Sequence, residues 1–303
     1  MAEITQRDGS WSYEDGRIRI VPGAKAHPVR QVLGEVAVPL AAVAGITFER
    51  DRKGGRLRLR LRDGACPVVR AADGRLPEGA DPYRLVVESG REDLAEYFVA
   101  EVRQALLLEQ IPEGPVERFL LPGPALPVSG GGGDGTAAFD GRGVRLTWNW
   151  KGKETKTSAG PTTLALADLT GVTWVPPQGL ENGHLRFLTR SGGGKTVAPE
   201  DDPHALDLWG LSKKEHTAVL VAAAVLVALA ARGEPERTPG VLDKAAEAPP
   251  ELPLPPTPAP QAAPADDPDA LLRRLRELGE LHRDGVLTDE EFSLAKQAVL
   301  RRL

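Results

Sequence analysis

The chain has 303 residues, 41% of them hydrophobic and 5% aromatic, with a formal net charge of -5. That length suits about two ordinary domains plus connectors, with modest cores. The negative charge gives no reason to expect nucleic-acid binding. Cys66 is the only cysteine, which excludes an internal disulfide and a cysteine-based zinc cage. Met1 to Ser10 is polar and lacks the apolar core of a secretory signal, so the expected location is cytoplasmic.

In chain order, Ile18 and Ile20 alternate around Arg19, and Val38 to Phe48 reads as a strand interrupted between Ala41 and Gly45. Leu57, Leu59 and Leu61 alternate with Arg56, Arg58, Arg60 and Arg62, the period of two of a half-buried strand with arginines toward water. Arg91 to Glu109 reads as an amphipathic helix with Leu94, Tyr97, Phe98, Val102, Ala105 and Leu106 on its apolar stripe. A Pro/Gly stretch over 110–135 follows, and its run Gly130 to Gly133 is expected to be a flexible joint.

The first pattern then returns. Tyr13-Glu14-Asp15 and Ile18-Arg19-Ile20 recur 126 residues later as Phe139-Asp140-Gly141 and Val144-Arg145-Leu146. Leu40 to Phe48 recurs at the same offset as Leu166 to Trp174, and Gly55 to Leu59 corresponds to Gly183 to Phe187. Each copy closes on a helical stretch, the second at Lys213 to Ala231. Thr217 to Ala231 carries no charge in fifteen residues. A helix apolar all round needs cover on more than one side: its own sheet plus the other repeat, a second subunit or a membrane.

Short antiparallel strands closed by one helix outline a pleckstrin-homology-like (PH-like) barrel. The tandem arrangement, the Gly-(Ile/Val)-Thr-(Phe/Trp) element and the terminal hairpin described next resemble the bacterial PH-like family catalogued as domain of unknown function 4429. The resemblance implies a fold, mainly β with α, and no established activity. Repeat 1 is expected over 5–109 and repeat 2 over 136–231.

Residues 232–267 are rich in Pro and Ala and are expected to form a disordered tether. Over 268–303, Leu271, Leu275, Leu278 and Leu281 stripe one helix, Asp284-Gly285 ends it, and Thr288 to Glu291 is a capping box for a second helix carrying Phe292, Ala295, Val299 and Leu303. This module resembles the SHOCT domain, which implies oligomerisation or docking through Leu271, Leu275, Leu278, Leu281, Phe292 and Val299. Calcium is not expected: a calcium loop needs Asp or Asn at its first, third and fifth positions, and of Glu280, His282 and Asp284 only the last complies, histidine being a poor calcium ligand.

No spacing points to a catalytic residue, a metal site or a cofactor. Two features are candidate ligand or anion sites. One is the ladder Arg56, Arg58, Arg60 and Arg62, which suits phosphates or acidic headgroups, or is simply a solvated sheet face. The other is the cluster Trp148, Trp150, Lys151, Lys153 and Lys156. The expectation is a non-catalytic scaffold that binds a protein or peptide and associates through the hairpin, with itself or with a partner. The alternative is a peripheral membrane protein on anionic lipid.

Overall fold

The computed structural model describes residues 2–178, 181–190 and 197–233. The chain divides into Met1–Thr238 and Pro239–Leu303, and every described residue lies in the first unit. The hairpin residues Leu271, Leu275, Leu278, Leu281, Phe292 and Val299, and the tether beyond Gly233, lie outside the described residues.

Repeat 1 opens with the antiparallel sheet β1 (Ala2–Gln6), β2 (Gly9–Glu14), β3 (Arg17–Pro22) and β4 (Val36–Pro39), with the short helix α1 (Pro28–Leu33) between β3 and β4. A 3-10 turn at Leu40–Ala42 then breaks the expected Val38–Phe48 strand in two and carries the chain into a second sheet. That sheet runs in the order β5 (Val43–Asp51), β6 (Gly54–Leu61), β7 (Arg84–Glu88), so β5 is an edge. Helix α2 (Pro67–Ala72) bridges β6 and β7, and α3 (Glu92–Leu108) closes the repeat.

In β6 the alternation holds: Leu57 and Leu59 are buried, while Arg56, Arg58 and Arg60 face solvent. The stripe of α3 is rotated from the expected one. Ala95, Phe98, Val99 and Val102 are buried, and Leu94 and Tyr97 are 41% and 53% exposed. The i, i+3, i+4, i+7 set that includes Ala95 and Val99 is the narrower face, and it seats Phe98 edge-on against Trp11 with ring centroids 6.2 Å apart.

Repeat 2 follows the same plan. β8 (Val128–Gly131), β9 (Gly135–Phe139), β10 (Gly143–Trp148) and β11 (Thr162–Ala165) form its first sheet, with α4 (Glu154–Thr157) between β10 and β11. β12 (Leu169–Val175), β13 (Gly183–Thr189) and β14 (Ala205–Leu208) form its second sheet, and α5 (Ala218–Gly233) closes it. Both copies have a register shift at the same place, between Val43 and Gly45 and between Leu169 and Gly171.

The glycine run was expected to be a joint, but its first half is part of this sheet and its second half is the turn from β8 to β9. Gly130 and Gly131 belong to β8. A Cβ on Gly130 would lie 2.5 Å from the Ala218 Cα, and one on Gly133 would enter the Trp209 ring. Glycine is required there because α5 and Trp209 press directly on the backbone.

Ala218 to Val225 are all buried. On one side α5 packs on β8, β9 and β12; on another it packs against α2 of repeat 1. Of the covers open in the sequence, the other repeat is the one found. By length and composition the stretch Lys213–Arg232 could also cross a membrane, yet 56% of that window is buried inside the protein.

Candidate functional site

The edge strand β5 and the helix α3 enclose a groove. A cavity of about 650 Å³ lies at one end, lined by β5 from Val43 to Thr47 and Glu49, by Arg58 and Arg60 of β6, by Arg103, Leu106 and Leu107 of α3, and by Ile111 and Glu113 beyond it. A smaller hollow of about 240 Å³ continues beside Phe48, Val99 and Ala100 and shares Arg103. Arg50, 3.0 Å from Glu96 and 3.5 Å from Asp93, bounds the far end. Leu107 is 79% exposed, so the apolar wall of the groove is open to solvent.

The backbone along β5 has an open side. Leu59 N–H donates to the Tyr83 carbonyl on the β7 side, so Arg58 and Arg60 face β5 and pair with Thr47 and Gly45. Antiparallel alternation then turns Ile46, Phe48 and Arg50 outward. Side chains hold two of the carbonyls on this side. Arg103 donates through Nε and Nη2 to Ile46 O at 3.1 and 3.0 Å, and Arg60 Nη2 reaches Ala44 O at 3.4 Å.

The same place in repeat 2 is filled. There α2 of repeat 1 packs on both α5 and β12, with its Val68, Ala71 and Ala72 buried. One groove of the duplicated pair is therefore consumed in joining the repeats, and the other is left open.

The candidate arginines have separate roles. Arg62 is a clamp: its guanidinium donates to Gly114 O at 2.7 Å, Ala41 O at 3.0 Å and Pro115 O at 3.4 Å. Arg56 is 3.8 Å from Glu78. Arg58 has no hydrogen bond or ion pair among the described residues, and it lines the groove with Arg60. The ladder thus contributes two arginines to the groove, and α3 adds Arg103, which is no member of the ladder.

The Trp–Lys cluster is mostly structural. Lys156 was expected at a ligand surface, but it is fully buried. Its Nζ donates to Asp134 Oδ2 at 2.6 Å, Pro199 O at 2.7 Å and Ala205 O at 2.8 Å, and lies 4.8 Å from the Trp148 ring centroid. Three donors and three acceptors leave it nothing to offer a ligand. Lys153 is paired with Glu200 and Asp201. Trp150, 86% exposed, and Lys151, stacked over Trp150 and Trp209, are the cluster members left at the surface without an ion pair among the described residues.

Cys66 is buried beside the Tyr83 hydroxyl at 3.1 Å, and burial pushes its thiol pKa up, the opposite of an activated nucleophile. No cluster of three metal-ligating side chains occurs among the described residues.

Compared with known proteins, the chain matches one family model twice, over residues 11–103 and again over 137–226; the family is described as a domain of unknown function, DUF4429. No curated protein matches the chain.

Proposed function

Starting from a chain that belongs to the DUF4429 family, a domain of unknown function, we propose that it is a non-catalytic adaptor whose repeat 1 holds a protein segment in the β5–α3 groove. One observation carries this reading: the equivalent groove of repeat 2 is already occupied by α2, while that of repeat 1 is open. A surface that takes a segment of protein in one copy is a reasonable receiver in the other. The two sheets and closing helix of each repeat fit a PH-like domain. In this reading repeat 2 serves chiefly to brace repeat 1, and the C-terminal module, read as a SHOCT hairpin, adds self-association or a second docking point. Linking the two would raise effective concentration without new contacts.

The alternative, a peripheral membrane protein in the cytoplasm, retains the exposed arginines and Trp150. It would have to do without α5 as an anchor, since Ala218 to Val225 are buried.

The adaptor reading is tested by plugging the groove. A Cβ on Gly45 meets nothing closer than the Arg60 guanidinium at 3.7 Å, so Gly45→Trp fills the cavity without entering the core. A random-peptide display library panned on the full chain should yield peptides that fail to bind Gly45→Trp. An enriched pool that binds both chains equally, or no enrichment, overturns the reading.

A further inference from the structure

We infer, resting on the adaptor reading above, that the occupant of the repeat 1 groove is an acidic segment in extended conformation, added as a fourth strand beside β5. Three features of the groove lead to this chemistry.

The first is the backbone. Ile46 and Phe48 turn their peptide groups off the sheet, and β5 is the edge of its sheet. An incoming strand satisfies such groups with main-chain hydrogen bonds, which supply affinity without demanding a particular side chain. The groove follows β5 from Val43 to Arg50, long enough for a strand to lie along it.

The second is how the edge is held without a partner. The outward carbonyls of Ala44 and Ile46 are not bare. Arg60 and Arg103 donate to them, standing in for the N–H groups of a missing strand. Cationic side chains along an edge also discourage unwanted strand pairing. When a strand's own N–H groups take those carbonyls, both guanidiniums are released. They then need acceptors, and carboxylates on the arriving segment satisfy them with charge-assisted bonds. Arg58, with no partner among the described residues, is a third cation on the same wall.

The third is the contrast with repeat 2. There Arg186 and Leu188 occupy the positions of Arg58 and Arg60. Arg186 is committed to Asp202 at 2.9 Å and to the Val197 carbonyl. α5 has no basic residue between Ala218 and Ala231. The filled groove receives an apolar helix, α2, and is lined for it. The open groove is lined by three arginines and two glutamates, Glu49 and Glu113, a cationic excess that the filled groove lacks, so it is not an unfinished copy of the filled one. Leu106, Leu107 and Ile111 offer contacts for apolar residues interleaved with the acids.

The test uses the full chain, isotope-labelled, and peptides from the display pool that require an unplugged groove. A synthetic peptide alternating valine with glutamate, and its valine–lysine counterpart, serve as defined probes. The expected pool carries Asp or Glu alternating with apolar residues. Binding should slow exchange at the Ile46 and Phe48 amides and shift the Arg103 Nε–H resonance. The valine–glutamate probe should bind and the lysine probe should not. Arg103→Ala and Arg60→Ala should each weaken binding about tenfold, and Arg58→Ala, which breaks no internal bond, should also weaken it. A groove-dependent pool that is neutral or basic, or that leaves Ile46 and Phe48 exchanging as in the free chain, overturns the acidic strand while the adaptor reading stands. Absence of any groove-dependent peptide overturns both.

Discussion

His27 Nε2 lies 3.2 Å from His216 Nδ1, and the two rings stack with centroids 5.3 Å apart at 18°, joining the first turn of α1 in repeat 1 to the turn that precedes α5 in repeat 2. Val29 N–H points at His27 Nδ1 at 3.3 Å, so Nδ1 is the acceptor and Nε2 carries the proton that it gives to His216. His216 must be unprotonated at Nδ1 to accept this bond, and His27 must be neutral for its Nδ1 to accept from Val29.

The pair therefore makes the junction acid-sensitive. Burial, then the neighbouring His216, Lys213 and Arg30, lower the His27 pKa from 6.5 to about 4, and burial lowers that of His216 despite Glu215. In this window the unfolded chain binds more protons than the folded one, so stability is full above pH 6.5 and falls as the pH drops toward 4. Thermal melts should show that decline. His27→Asn, which retains a capping side chain, together with His216→Gln should flatten it; an unchanged pH profile in the double variant removes the pair as its source.

Lys156 and Asp134 form a buried ion pair 2.6 Å long. Asp134 also accepts the Asp207 N–H at 2.9 Å, tying β14 to the start of β9. Lys156→Met strands that carboxylate in the interior and should cost about 3–5 kcal/mol in urea unfolding. Lys156→Met with Asp134→Asn should recover part of it, because the neutral amide still accepts a hydrogen bond. A single variant within about 0.5 kcal/mol of native, the scatter of a surface change, would contradict the pairing.

Two neighbouring arginines should behave differently. Arg62→Ala removes a clamp on three carbonyls and should cost about 1–3 kcal/mol. Arg58→Ala should stay within about 0.5 kcal/mol of native. Equal losses would mean that the ladder is one structural unit rather than a clamp beside a free surface.

The packing of α2 on α5 should make both repeats unfold in one step. Val68→Asp places a carboxylate on the buried face of α2. It should split the transition in two and expose the α5 surface to a hydrophobic dye. A native chain that already melts in two steps would contradict the shared layer.

Much of this architecture is legible in the residues. Alternation identifies β6, and the fixed offset of Leu40–Phe48 against Leu166–Trp174 identifies the duplication, down to the register shift before Gly45 and Gly171. What escaped depended on contacts distant in sequence. β8 was hidden because glycines usually mark joints, and only the approach of Ala218 explains the glycine at 130. Lys156 read as exposed because its acceptors come from Asp134, Pro199 and Ala205, all well separated from it. The groove itself was invisible: it needs α3 laid along β5, and α2, whose Pro-Val-Val-Arg-Ala-Ala stretch is too short to show a helical period, laid over the other copy.

The most direct measurement is to map where a groove-dependent peptide lies. The peptide would carry a photoactivatable cross-linker and be irradiated on the full chain, with the attachment sites read by mass spectrometry. The expected attachments fall in Val43–Arg50 of β5 and between Glu96 and Leu107 of α3, and none fall in β12 or α5. Attachments shared equally between the two repeats, or confined to repeat 2, would contradict a single open groove in repeat 1.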